Sequence, residues 1–148
     1  MSSPKAEKLT AIALSVFSLN GKLIEWGDHF SQEHGLTSAR WQVLGAISLA
    51  NQDPTIPQIA AAMGVTRQGV LKQINLLVEE RLVEPLANPT HKRAQLYALT
   101  KKGQAVYQAL EQRWQKHVRD MSSEFSVADL DAAIRVLSMM SHIHSASS

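Results

Sequence analysis

The stretch Ile59-Ala60-Ala61-Ala62-Met63-Gly64-Val65-Thr66-Arg67-Gln68-Gly69-Val70 narrows the fold more than any other feature of this 148-residue chain. Two helices that meet in a tight corner need a small residue where they cross, and Ala60 supplies it. The chain must then reverse through a residue tolerant of positive φ, and Gly64 lies four positions on. Ile59, Met63, Val65 and Val70 fall at the spacings that bury the inner faces of both helices. Thr66 stands at the N-cap of the second helix, whose free N–H groups and positive dipole end can then face a phosphate. The stretch implies a helix-turn-helix.

The wheel of the second helix sorts its residues. Val70, Leu71, Ile74, Leu77 and Val78 collect on one side; Gln68, Gly69, Lys72, Gln73 and Asn75 lie opposite. Carboxamides suit adenine and lysine suits guanine in a major groove. Arg67 projects toward the apolar side, but at the first helical position it has room to swing toward a DNA backbone. An ordinary amphipathic helix with a solvated face gives the same wheel, and the segment C-terminal to this helix tips the balance. Val83-Glu84-Pro85-Leu86-Ala87 and Ala94-Gln95-Leu96-Tyr97-Ala98-Leu99 are short strand segments joined by Asn88-Pro89-Thr90-His91-Lys92-Arg93, a hairpin with a polar, basic tip. Pro85 puts its strand at an edge. Residues 67–102 hold seven Lys and Arg against Glu79, Glu80 and Glu84, a net of +4 in a chain of +2, so the remainder is −2. A basic middle between mildly acidic ends suits a nucleic-acid-binding module on a scaffold that does not touch phosphates.

The flanks are helical. From Lys5 to His34 a seam of Leu9, Ile12, Val16, Leu19, Leu23, Trp26 and Phe30 steps by three and four, and so long a seam calls for a partner, in its own domain or in a second copy. Gly35 closes that helix. Thr37 caps a helix over Ser38 to Leu49, with Trp41, Leu44, Ala46 and Ile47 as core candidates. A short helix is expected from Pro57 to Met63, and another from Thr66 to Glu80. Thr100 and Ser126 cap two final helices, Lys101 to Met121 and Val127 to His144, the latter with an apolar face of Leu130, Ala133, Ile134, Leu137 and Met140. The last four residues, Ser145 to Ser148, are expected to fray. The fold class is mainly α with a small β-hairpin wing: a winged helix-turn-helix lobe over 35–103, with dimerisation helices in 1–34 and 104–148.

Other function classes fare poorly. Hydrophobic residues at 45% and charged residues at 19% describe a globular chain rather than a disordered one. No apolar run approaches the roughly 20 residues of a membrane span, and the first residues are polar, so a cytoplasmic protein with no membrane partner is expected. The absence of cysteine excludes thiol redox and thiolate metal chemistry. The six histidines show no ligand spacing that converges on a metal, although a metal-responsive regulator remains an alternative. With no phosphate loop, nucleophile motif or carboxylate pair, no enzyme and no cofactor is expected. Trp26, Phe30, Trp41 and Trp114 either line a small-molecule pocket or pack as plain core. Arg40 and His29 either anchor an acidic effector or are solvated.

The element order resembles the MarR family of bacterial transcriptional regulators. Thr37-Ser38-Ala39-Arg40-Trp41-Gln42-Val43-Leu44 is similar to that family's second-helix opening. Leu82-Val83-Glu84-Pro85, His91-Lys92-Arg93-Ala94 and Leu99-Thr100-Lys101-Lys102-Gly103 are similar to its wing and the start of its fifth helix. The resemblance implies a homodimer on a palindromic operator in double-stranded DNA. It implies a recognition helix (Thr66, Arg67, Gln68, Gly69, Lys72, Gln73) in the major groove and a wing tip (His91, Lys92, Arg93) in the minor groove. It also implies a repressor released by a small aromatic or acidic effector held near Trp26, His29, Phe30, Arg40 and Trp41. The competing class is a protein-interaction module on the same fold. Two departures stand out. The family's wing commonly reads Asp-x-Arg-Asp-Arg-Arg, where this chain has Asn88 to Arg93: both acids and one arginine are absent, and Lys92 replaces a second arginine. Arg81 stands where glycine is usual, at a strain of roughly 1 kcal/mol if that site needs positive φ.

Overall fold

The computed structural model describes residues 3–145, so the expected fraying falls outside them from residue 146 on. It contains α1 (Pro4–Ser31), a 3₁₀ turn (Gln32–His34), α2 (Ser38–Leu49), α3 (Ile56–Met63), α4 (Arg67–Glu79), β1 (Val83–Leu86), β2 (Leu96–Leu99), α5 (Lys101–Ser122) and α6 (Val127–Ser145). Two compact units partition the chain, Met1–Ala109 and Leu110–Ser148.

Polar caps set the helix starts. Thr37 Oγ1 accepts from the Arg40 amide at 3.3 Å, Thr66 Oγ1 from Gly69 at 3.0 Å, Thr100 Oγ1 from Gly103 at 3.0 Å and Ser126 Oγ from Asp129 at 3.1 Å. At α3 the cap is a box: Thr55 Oγ1 accepts from Gln58 N while Gln58 Oε1 accepts from Thr55 N. That box starts α3 at Ile56, one residue before the expected Pro57.

Three helical segments end in one left-handed turn. The amides of Leu36, Val65 and Leu82 donate back to the carbonyls of Ser31, Ala60 and Leu77, the same spacing in each case. Gly35 (φ 70), Gly64 (φ 69) and Arg81 (φ 63) are the left-handed residues. The first of these turns also tightens residues 32–34 into 3₁₀ geometry, in place of a continuous helix to His34.

The core of the first unit lies where α2, α3, α4 and the hairpin meet. Val43, Leu44, Ile59, Ile74 and Leu77 are fully buried there, each contributing roughly 1.5–3 kcal/mol. Val43 joins this core beyond the candidates that helical spacing picks out; Trp41 and Ala46 are half-buried. The hairpin is antiparallel, pairing Val83 with Leu99 and Leu86 with Leu96. Both strands are edges of a two-stranded sheet, which suits Pro85, and Tyr97 N donates to Pro54 O at 2.9 Å on the free side of β2. By contrast the seam of α1 is largely open, with Leu9, Val16, Leu19 and Leu23 at 41–54% exposure. Within the second unit α6 has no buried residue.

One crossing fixes the hairpin. A Cβ on Gly103 would stand 2.0 Å from the Leu82 carbonyl oxygen, which accepts from Thr100 N at 3.1 Å. Gly103→Ala should cost about 2–4 kcal/mol, because backbone rather than a mobile side chain blocks the space. Arg81→Gly should instead raise stability slightly, by up to about 0.5 kcal/mol, since relief of about 1 kcal/mol of left-handed strain is partly offset by glycine's added chain entropy. Urea midpoints of the two variants against wild type should move in opposite directions.

Candidate nucleic-acid interface

The α3–turn–α4 corner is built as its sequence demands. Ala60 is 4% exposed at the crossing, Gly64 turns the chain, and Thr66 caps α4 through side chain and carbonyl. A Cβ on Gly69 would lie 3.1 Å from Thr66 Oγ1, so the glycine gives the capping hydroxyl its room. Val70, Ile74 and Leu77 form the buried stripe, while Thr66, Arg67, Gln68, Gly69 and Lys72 are exposed. Gln73, expected fully outward, is half-buried.

Two apolar assignments need correction. Leu71, placed on the buried side of the wheel, is 44% exposed, and Val65, placed on the inner face, is 48% exposed. Both lie beside a stripe that repeats at i, i+4 and i+7: Leu71 is turned about 100° from Val70, and Val65 belongs to the turn rather than to either helix.

The wing tip is held by an amide where the family pattern has acids. Asn88 Nδ2 donates to Ala94 O at 2.8 Å, and its Oδ1 accepts from Thr90 N at 3.1 Å and Thr90 Oγ1 at 2.9 Å. His91 N bonds to Asn88 O and Ala94 N to His91 O, closing the loop on itself. His91, Lys92 and Arg93 are exposed, and Lys92 and Arg93 form no ion pair with any described residue. Below them the stem is uncharged at Tyr97, where burial raises the phenol above its ordinary pKa and keeps it protonated. The signal for this clasp was present in Asn88-Pro89-Thr90, an Asx-turn sequence.

The effector candidates divide. Trp26 stacks on Phe30 with centroids 4.6 Å apart, and Phe30 meets Trp41 at 5.2 Å, joining α1 to α2 through half-buried aromatic rings. His29 is exposed. The Arg40 guanidinium is paired with the Glu80 carboxylate at the end of α4, a partner that no local pattern announces. Trp114 lies in the second unit, 5.7 Å from His117. Among the described residues no group of three His, Asp or Glu is placed to hold a metal ion, and no helix is long and apolar enough to cross a membrane.

Comparison with known proteins agrees with this geometry. The family model described as MarR family matches residues 34–94, from the 3₁₀ turn after α1 to the tip of the wing, short of β2. An uncharacterized protein of Mycobacterium tuberculosis is 38% identical over 108 residues, 73% of this chain and 74% of its own. The M. tuberculosis transcriptional regulator MosR, solved in complex with DNA, superposes with a TM-score of 0.74 at 23% identity, covering 91% of this chain and 96% of that one. CouR of Rhodococcus jostii RHA1, solved bound to p-coumaroyl-CoA, superposes with a TM-score of 0.77 at 17% identity, covering 88% and 91%.

Asn88→Ala should remove both ends of the clasp at a cost of about 1 kcal/mol. Amide exchange at Thr90 should accelerate while the α4 amides keep their protection. Unchanged exchange at Thr90 would show that something other than Asn88 orders the tip.

Proposed function

The chain belongs to the MarR family of transcription regulators, not enzymes, and from that premise we propose that it is a cytoplasmic homodimer that binds a palindromic operator and represses transcription until a small molecule releases it. The observation that carries the reading is the pairing, within one unit, of a threonine-capped α4 with an exposed polar start and a wing whose tip bears two unpaired cations. In this reading Gln68, Lys72 and the accessible part of Gln73 reach base edges of the major groove, while Thr66, Arg67 and Gly69 sit at the phosphate-facing helix start. His91, Lys92 and Arg93 enter the minor groove. MosR, solved with DNA, and CouR, solved with an aromatic acyl-CoA, have the same fold and support the DNA and effector halves respectively. The effector is assigned to the aromatic stack of Trp26, Phe30 and Trp41, flanked by His29 and Arg40; an acid bound there would compete with Glu80 for Arg40.

Apolar surface that one chain leaves uncovered supports the dimer. Besides its seam, α1 carries Leu14, Phe17 and Ile24 on nearly the opposite face, exposed at 43–76%; on α6 Leu130, Ile134, Leu137 and Ile143 are exposed at 41–62%. Two apolar faces on one helix require two covers, which an intertwined pair provides. We therefore assign residues 1–34 and 104–148 to the dimer scaffold and 35–103 to the DNA-binding lobe. The two recognition helices would be about one DNA turn, ~34 Å, apart.

Sedimentation equilibrium tests the scaffold. Wild type should sediment at twice the chain mass. Phe17→Glu is harmless on a solvated surface but buries a charge in the interface, and should shift the protein toward the single-chain mass. A variant that sediments and melts as wild type does would remove this face from the interface.

Binding to the duplex upstream of the protein's own gene, measured across a salt titration, tests the rest. Lys92→Ala with Arg93→Ala should weaken binding to every sequence and flatten the slope of log affinity against log salt by about 4 for the dimer, at about 0.9 per lost phosphate contact. An unchanged slope would mean the wing does not touch DNA. Failure of wild type to bind any duplex would leave a protein-interaction module as the reading.

A further inference from the structure

A cleft of about 1250 Å³ lies in the first unit between α2, α3 and the stem of the wing, and neither the aromatic stack nor the exposed start of α4 lines it. It exceeds the roughly 300–1,000 Å³ that a drug-sized molecule occupies. Its floor is apolar, formed by Ala46, Ile59, Met63 and Leu96. Leu49, at the rim, is 79% exposed, the most open large hydrophobic side chain on the described surface.

The polar lining combines carboxamides with the hydroxyl residues Thr55 and Thr90 and one carboxylate. Gln42, Asn51, Gln52, Gln58 and Asn88 present carboxamides, and Asp53 is the one charged side chain. No Lys, Arg or His lines the cleft, in a chain with 15 Lys and Arg. An anion entering it would lose water, find no cation and meet Asp53, so phosphates and carboxylates are disfavoured. A neutral or positively charged group finds acceptors, and an aromatic body finds the floor. Gln42, Gln58 and Asn88 already bond to Ser38, Thr55, Thr90 and Ala94. The side chains of Asn51 and Gln52 are exposed, form no hydrogen bond with a described residue, and are available to a ligand.

We propose that this cleft is a second small-molecule site, taking a neutral or cationic aromatic compound, and that filling it loosens the wing. The coupling is structural. Asn88, whose amide clasps the tip, is part of the wall, and Pro54, whose carbonyl holds β2 through Tyr97 N, borders the same space. A ligand pressed between α3 and Asn88 acts on the clasp that aims His91, Lys92 and Arg93. The binding half of this proposal is independent of the DNA-binding reading; the consequence for DNA rests on it.

Three probes of similar size and different charge test it: benzamide, benzamidine and benzoate, titrated into the ¹⁵N-labelled full-length protein. Benzamide and benzamidine should shift the resonances of Asn51, Gln52 and Asn88, and benzoate should leave them in place. Ala62→Trp, at an exposed position on the cleft wall, should fill the space and abolish the shifts. Asp53→Asn should remove the preference for benzamidine over benzamide. Shifts at these residues with benzoate, or with none of the probes, would overturn the site. In the second arm, saturating benzamide should weaken the wild-type complex with upstream DNA about fivefold or more and leave that of Ala62→Trp unchanged. Binding without that weakening would overturn the link to the wing. Ligand-free protein that binds no duplex would sink the DNA reading, while the resonance shifts would still decide the cleft.

Discussion

In the first unit the hairpin is set against the end of α4 by the approach of the Leu82 carbonyl to Gly103. That oxygen accepts from Thr100 N and occupies space that a methyl group on residue 103 would fill. Thr100 completes the joint by donating its hydroxyl to Arg81 O at 2.7 Å and accepting from Gly103 N at 3.0 Å. The end of α4, the start of β1, the end of β2 and the first turn of α5 are therefore one backbone knot. Backbone groups have far less rotational freedom than side chains, so the angle between α4 and the wing is set within narrow limits. The run Leu99-Thr100-x-x-Gly103 has a physical reason at each named place: Leu99 pairs with Val83, Thr100 bonds twice through one oxygen, and Gly103 yields room.

The same knot answers what the sequence left open at Arg81. Its left-handed backbone costs on the order of 1 kcal/mol, but Arg81 N bonds to Val78 O, Leu82 N to Leu77 O, and Thr100 holds the Arg81 carbonyl. Hydrogen bonds at about 0.5–1.5 kcal/mol each outweigh the strain. Lys102 adds a further link from its Nζ to Glu80 O at 3.2 Å. The preference for glycine is thus a matter of conformational cost, and neighbours that lock the turn can carry arginine there.

Elements with a local chemical cause were legible in the sequence; features that depend on what covers a surface were not. Thr37, Thr66, Thr100 and Ser126 marked helix starts because capping is decided within four residues, and Gly35 and Gly64 marked ends for the same reason. Leu71 was misplaced because a wheel gives the direction of a side chain without saying how far the neighbouring helix reaches, and Val65 because it lies in the turn, outside either helix. Val43 was missed for the converse reason: two adjacent residues, Val43 and Leu44, are both buried because α2 packs on several elements at once. Arg40 with Glu80, forty positions apart, had no local signal at all. At the wing the acids of the family pattern are missing, and Asn88 holds the loop with neutral groups and leaves the cations of the tip without an ion pair among the described residues.

The polar links outside the knot have a direction. Gly27 is buried against Ser38, where a Cβ would meet the hydroxyl oxygen at 2.9 Å, and Asp28 accepts from Ser38 N at 2.7 Å, so the end of α1 is seated on the start of α2. Two residues further on, Arg40 grips Glu80, and Glu80 is the residue on which α4 ends. The aromatic rings of Trp26, Phe30 and Trp41 fill the same α1–α2 junction. A tilt of α1 against α2 must therefore disturb either close packing at Gly27 or the Asp28 cap, both within one helical turn of the arginine that holds the end of α4. Close-packed joints of this kind do not deform gradually; they stay seated or give way together. A ligand wedged among those rings would work on the end of α4, one lodged beside Asn88 would work on the wing, and the Leu82–Gly103 crossing is the rigid piece between the two.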